Sequence, residues 1–156
     1  MVEVGQKAPD VQLVDIERKP VKISDFKGKT TVLLFFPGAF TGVCTKEMCT
    51  FRDEITKYNS LNANVVGISV DSPFALKGFK SANNLNISLL SDFARNAVNS
   101  YGVLLNDFAG LTGYTAAKRS VFVLDKDQNV RFKWVSDNPG VEPDYAVVVA
   151  ETEKAR

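Results

Sequence analysis

Three uninterrupted apolar runs decide what this chain can fold into. The first, Thr31–Phe36 (TVLLFF), is followed by Val65–Val70 and Ile87–Leu90. An apolar run without polar alternation, closed by turn residues, reads as a strand buried on both faces. Helical stretches separate the three. Phe51, Ile55 and Tyr58 give Thr45–Tyr58 a helical period, and Ser72-Pro73 starts a helix to Ala82. Asp92 opens a third helix, through Tyr101, that Gly102 stops. Strand and helix alternating in this way predict two parallel crossovers. Val11–Val14 and Val21–Ile23 flank the Glu17–Pro20 turn as an N-terminal hairpin, and Ser24–Gly28 is a compact turn. Arg119–Leu124 and Val130–Val135 form a second hairpin around Asp125–Asn129, and a last helix runs from Pro143 with Tyr145, Val148 and Val149 inward. Val103–Ala117 reads as a long irregular loop. The expected class is α/β: residues 1–156 as one domain, a mixed sheet covered by helices on both faces. Phe35, Phe36, Phe51, Phe74, Phe79 and Phe93 are assigned to the core.

Composition removes several functions. Lys and Arg total 19 against 18 for Asp and Glu, which leaves no field to hold nucleic acid or an anionic membrane. No apolar run reaches membrane-spanning length, and Met1–Asp10 lacks the apolar core of a signal peptide. The expectation is a cytoplasmic protein. With no histidine, Cys–His and Ser–His dyads and nearly every common zinc site are excluded. A reactive thiol here must be activated by its place on a helix and by Arg or Lys.

Pro37 and Gly38 stop the first strand, and helix-start chemistry begins near Thr41, with Thr45 and Glu47 where caps and first-turn acids belong. Cys44 then lies in the first turn, facing unpaired N–H groups and the positive end of the helix dipole, both of which favour a thiolate. It also lies just past the carboxyl end of a strand, where open α/β sheets place their sites. Cys49 is five residues further on. In an intact helix the two Cα atoms are about 8.6 Å apart, whereas a disulfide needs them within about 7 Å. The two thiols cannot join unless the helix unwinds, so a reduced chain should show an unbroken helix with free thiols.

The octapeptide Pro37-Gly38-Ala39-Phe40-Thr41-Gly42-Val43-Cys44 is similar to the Pro-x-x-x-Thr-x-x-Cys active-site pattern of the peroxiredoxins. Lys46-Glu47, Leu90-Ser91-Asp92 and Arg119 at the start of KRSVFVLD also resemble that family, in its order and over nearly the whole chain. The resemblance implies a thioredoxin-like fold with an N-terminal hairpin extension. Cys49 resembles the second cysteine of the bacterioferritin-comigratory-protein/PrxQ group. Gly42, where many relatives carry proline, gives the loop some likeness to the one-cysteine AhpE-like group.

By that resemblance Cys44 is the peroxide-attacking thiolate, becoming a sulfenic acid; otherwise it is an inert cysteine packed at a helix start. Thr41 would fix the attack line, a role compatible with capping the helix, and Arg119 would stabilise the charges rather than serve as a surface ion pair. Pro37 would shield the sulfur, Glu47 would orient Arg119 or serve the helix dipole, and Phe40 and Val43 would support the site. Phe40, Phe108 and Leu111 would shape the pocket or a dimer contact. Cys49 either resolves the sulfenic acid or is structural. The implied activity is reduction of hydrogen peroxide and organic hydroperoxides without metal, haem or flavin, by a monomer or homodimer. Electrons would come from thioredoxin, glutaredoxin or another small thiol donor. The rivals are a one-cysteine peroxidase served by an external thiol, and a binding or chaperone module without turnover.

Overall fold

The computed structural model describes residues 1–156. In chain order the elements are β1 (Gln12–Asp15), β2 (Pro20–Lys22), a 3₁₀ turn (Ile23–Phe26), β3 (Thr31–Phe35), α1 (Gly42–Asp53), α2 (Ile55–Ser60), β4 (Asn64–Ser69), α3 (Pro73–Ala82) and β5 (Ser88–Ser91). They continue with α4 (Asn96–Ser100), β6 (Leu104–Leu105), a 3₁₀ turn (Phe108–Gly110), β7 (Ala116–Ala117), β8 (Ser120–Leu124), β9 (Val130–Val135) and α5 (Tyr145–Lys154). Seven strands make one sheet in the order β2-β1-β5-β4-β3-β8-β9. The three apolar runs are its parallel centre, β5-β4-β3, and both hairpins add antiparallel strands at the edges.

Residues alternate between the two faces of β3, as a strand period of two requires. Leu33 and Phe35 join one buried cluster with Ala97, Val98 and Tyr101 from the α4 side. Val32, Leu34 and Phe36 join the other, with Met48, Phe51, Leu76, Phe79 and Val148 from α1, α3 and α5. Cys44 belongs to this second cluster. No helix is long and apolar enough to cross a membrane.

Several expectations need correcting. The helix expected over Thr45–Tyr58 starts earlier, at Gly42, and breaks at Glu54 (φ −98°, ψ 6°) into α1 and α2. Thr45 is therefore inside the helix, its hydroxyl donating back to the Thr41 carbonyl at 2.7 Å. The burial of Phe51 and Tyr58 continues across the break, which is why periodicity hides it. The third helix starts at Asn96 rather than Asp92. Asp92 caps it from a distance, accepting from the Ala97 and Val98 N–H groups at 3.0 and 2.8 Å, while Arg95 takes a left-handed turn. Val103–Ala117 is closed at its base by the β6–β7 ribbon. The last helix begins at Tyr145, capped by Asp144. Phe74 and Phe93 are not core: they are 66% and 54% exposed.

Gly67, in the middle of β4, is where three side chains of the second cluster converge. A Cβ there would lie 2.8 Å from Leu89 Cδ2 and 3.3 Å from Phe36 Cε1, with Met48 Sδ at 3.5 Å. Gly67→Val should therefore overpack the sheet–α1 contact and lower unfolding free energy by roughly 1–3 kcal/mol, read as a lower denaturation midpoint in urea.

Candidate active site

The site forms where β3 ends and β8 begins. β8 runs antiparallel to β3 with Ser120 opposite Phe35, so Arg119 lies beside the loop that follows β3. Pairing thus brings together residues 75 apart in sequence: Arg119 Nη2 lies 3.1 Å from Cys44 Sγ. Nη1 donates to Glu47 Oε1 at 2.7 Å. Nη2 and Nε also donate to the Pro139 carbonyl, at 2.7 and 3.3 Å. Arg119 and Cys44 are each 1% exposed and Glu47 is fully buried. The guanidinium fork suits this work, because its donors diverge in one rigid plane.

Thr41 occupies the N-cap position of α1, but its hydroxyl does not cap the helix. It donates instead to the Gly38 carbonyl at 2.7 Å, leaving its oxygen lone pairs free to accept. The N–H groups of Gly42, Val43 and Cys44 find no acceptor within the chain, the usual condition of a first helical turn. A cavity of about 260 Å³ opens over this turn. Val43, Phe108, Ala109 and Pro139 form its apolar wall, and Thr41 and Arg119 reach it from below. Pro37 is buried behind the loop.

Phe40 stands elsewhere. It is 61% exposed, has a left-handed backbone (φ +64°) and rests its ring on Phe79 at 5.3 Å, outside the cavity. Leu111 is exposed and likewise not part of the wall. Cys49 faces away from Arg119, towards the end of α3: its thiol is 3.8 Å from Asn83 Oδ1, while Arg52 Nη1 donates to the Asn83 carbonyl at 2.6 Å. Both cysteines are free and share the continuous α1, as the helix geometry requires of a reduced chain.

Sequence reasoning did not single out Pro139 or Ala109, which complete the cavity, or Glu142. Glu142 joins Lys46 of α1 at 3.1 Å and accepts from the Tyr145 hydroxyl at 2.6 Å, pinning the segment before α5 against α1. The Tyr145 hydroxyl, with help from Lys46, holds the Glu142 carboxyl below its ordinary range. Nothing local in Asn138-Pro139-Gly140 says that the Pro139 carbonyl meets Arg119.

Glu47 is not a first-turn acid serving the dipole. It lies in the second turn with Oε1 on Arg119, while Oε2 has no hydrogen-bond partner. Burial pushes its carboxyl up from 4.5 to about 7, against the pull of Arg119. Burial also works against the charge on Arg119, but Cys44 and then Glu47 outweigh it, and the guanidinium ends above its ordinary value. One cation thus serves two potential anions, and a carboxyl whose burial favours its protonated form leaves more of that charge to the sulfur. A carboxyl raised in the folded state binds its proton more tightly there than when unfolded. Its contribution to stability is full below pH 4.5 and is lost as pH rises through about 7. Relative to Glu47→Gln, in which this titration is absent, the parent should lose roughly 3 kcal/mol of unfolding free energy across that window. Urea denaturation of both proteins at several pH values measures it.

The AhpC/TSA family model matches residues 4–133. Peroxiredoxin Bcp of Bacillus subtilis is 37% identical over 135 residues, 85% of each chain. The chloroplastic peroxiredoxin Q of Sedum lineare is 40% identical over 126 residues, 81% of this chain and 65% of that one. Among solved structures, peroxidoxin BcpB from Mycobacterium tuberculosis superposes with a TM-score of 0.86 at 29% identity, covering 100% of this chain and 99% of that one. The mixed sheet with helices on both faces is the thioredoxin-like architecture of those neighbours. With its thiol, guanidinium and carboxylate assembled at the end of β3, the chain belongs to the AhpC/TSA family, the thiol peroxidases known as peroxiredoxins.

Proposed function

We propose that this peroxiredoxin reduces hydrogen peroxide and small organic hydroperoxides through Cys44, and that Cys49 resolves the product. The 3.1 Å contact between the buried Arg119 fork and Cys44 Sγ, beneath an open cavity, is the observation that carries this reading. The Cys44 thiolate attacks one peroxide oxygen. An S–O bond forms as the O–O bond breaks, and hydroxide or alkoxide leaves with the bonding pair and takes up a proton. Thr41 and the free N–H groups of the first turn hold the peroxide in line, and Arg119 stabilises the charge moving onto the departing oxygen. Glu47 orients Arg119, and Pro37 closes the back of the site. The apolar wall of Val43, Phe108 and Ala109 suits an alkyl group as well as a hydrogen atom.

After α1 unwinds, the Cys49 thiolate attacks the Cys44 sulfenic sulfur, releasing hydroxide and leaving a disulfide. Thioredoxin, glutaredoxin or another small thiol donor then reduces it. A reducing cytoplasm would keep both thiols free between turnovers. The competing reading, direct attack on Cys44 by an external thiol, draws support from one feature. Cys49 is held towards Asn83 in an unbroken helix, so an outside thiol entering by the cavity has the shorter path.

Intact mass after one equivalent of hydrogen peroxide separates the two. Loss of two hydrogens in the parent, with gain of one oxygen in Cys49→Ser and no change in Cys44→Ser, supports resolution by Cys49. Oxygen gain in the parent itself favours the external thiol, and no rapid reaction at Cys44 overturns the peroxidase reading. In the same assay Arg119→Lys keeps a positive charge but loses the fork, and its rate constant for peroxide should fall by roughly 100-fold.

A further inference from the structure

Beyond these residues, we infer that Asp71 is a positioning residue for the peroxide reaction, setting the Pro37–Thr41 loop from the end of the neighbouring strand. This rests on the reading of Cys44 as the peroxide-attacking thiol.

Asp71 lies two residues past the end of β4. Its carboxylate oxygen Oδ2 accepts from the Ala39 N–H at 2.8 Å and from the Ser69 hydroxyl at 2.6 Å. Its own N–H lies 3.3 Å from Ser69 Oγ, and its carbonyl accepts from the Ser91 hydroxyl at 2.5 Å. Ser69 and Ser91 are buried partners in the β4–β5 ladder. The carboxylate is therefore fixed by the rigid centre of the sheet before it reaches the loop.

The loop has few anchors of its own. Phe36 N–H continues the pairing with β4 by donating to Ile68. Beyond it, no backbone N–H from Phe40 to Cys44 finds an acceptor in the chain, and the Thr41 hydroxyl bonds only within the loop, to Gly38. The Ala39 bond to Asp71 is thus the one backbone tie from this stretch to the sheet before α1 begins. It immediately precedes Phe40, whose left-handed backbone (φ +64°) is disfavoured for a large side chain. Released from Asp71, Phe40 would relax towards an ordinary conformation and swing Thr41 and the first-turn N–H groups away from Arg119. Cys44 itself is held by the second cluster and by Arg119, so the loss would fall on peroxide alignment more than on the thiol.

That distinction supplies the test. Two rate constants of Cys44 are measured in the full chain: with hydrogen peroxide, which needs the aligned loop, and with iodoacetamide, which does not. Asp71→Ala should lower the peroxide constant by roughly 10- to 100-fold while the alkylation constant stays within about three-fold of the parent. Asp71→Asn, whose amide oxygen can still accept from Ala39 and Ser69, should restore most of the peroxide rate. An unchanged peroxide rate in Asp71→Ala overturns the inference, as does a proportional fall in both constants. Should Asp71→Ala not fold, Ser69→Ala removes one of the bonds fixing the carboxylate. A selective fall in its peroxide rate supports the inference, and an unchanged rate overturns it. A parent chain that does not react rapidly with peroxide overturns the peroxidase reading and this inference together.

Discussion

A buried guanidinium organises this molecule. Arg119 has almost no contact with solvent, and the polar atoms around it are brought there by two other pieces of the fold. The thiol and the carboxylate come from successive turns of α1, and the Pro139 carbonyl from the turn after β9. Burying a lone cation costs several kcal/mol, so each of these groups is needed to keep the others in place. The strand order makes the meeting possible: β8 must lie antiparallel against β3 for its first residue to reach the loop that β3 feeds. Shift that register by one residue and the arginine would point to the opposite face of the sheet.

The same cluster sets stability against reactivity. A buried carboxyl with one oxygen unpartnered is an expensive group to keep. A hydrophobic residue at position 47 would pack the second cluster without that cost. What Glu47 supplies is a fixed direction for the guanidinium, through a carboxyl whose burial favours its protonated form. Beside this centre the wall includes one strained turn: Ala109, which lines the cavity, adopts a left-handed backbone.

The parallel centre of the sheet, both hairpins and α3 were legible, because fully apolar strands and a Ser-Pro cap write their structure locally. The strand end, loop and helix start around Cys44 were legible for the same reason: they are contiguous in sequence. What failed was either non-local or compensated. The break at Glu54 is invisible to a periodicity that continues across it. Asp92 caps N–H groups five and six residues away, too far for a capping pattern to register. Phe74 and Phe93 were assigned to the core by residue type alone, whereas the second follows a buried strand by two residues and faces out. Residue type and position left Glu47 open between a dipole acid and a partner of Arg119, because that partner is 72 residues distant. The roles of Asp71 and Pro139 depend on strand order, which no local pattern encodes.

The break at Glu54 bears on how motion is contained. Helix–coil transitions are cooperative: melting at one end tends to spread until something interrupts the ladder of hydrogen bonds. Twelve residues are marginal as an isolated helix in water, so α1 persists because Met48 and Phe51 are packed, not because its backbone insists. Its first turn carries Gly42 and no acidic residue to complement the dipole. Beyond Glu54, α2 begins afresh, with Tyr58 sunk in the core. The interruption therefore acts as a firebreak. On the proposed reading, in which the first turns of α1 unwind so that Cys49 can reach Cys44, the break at Glu54 would keep that melting from running on into α2.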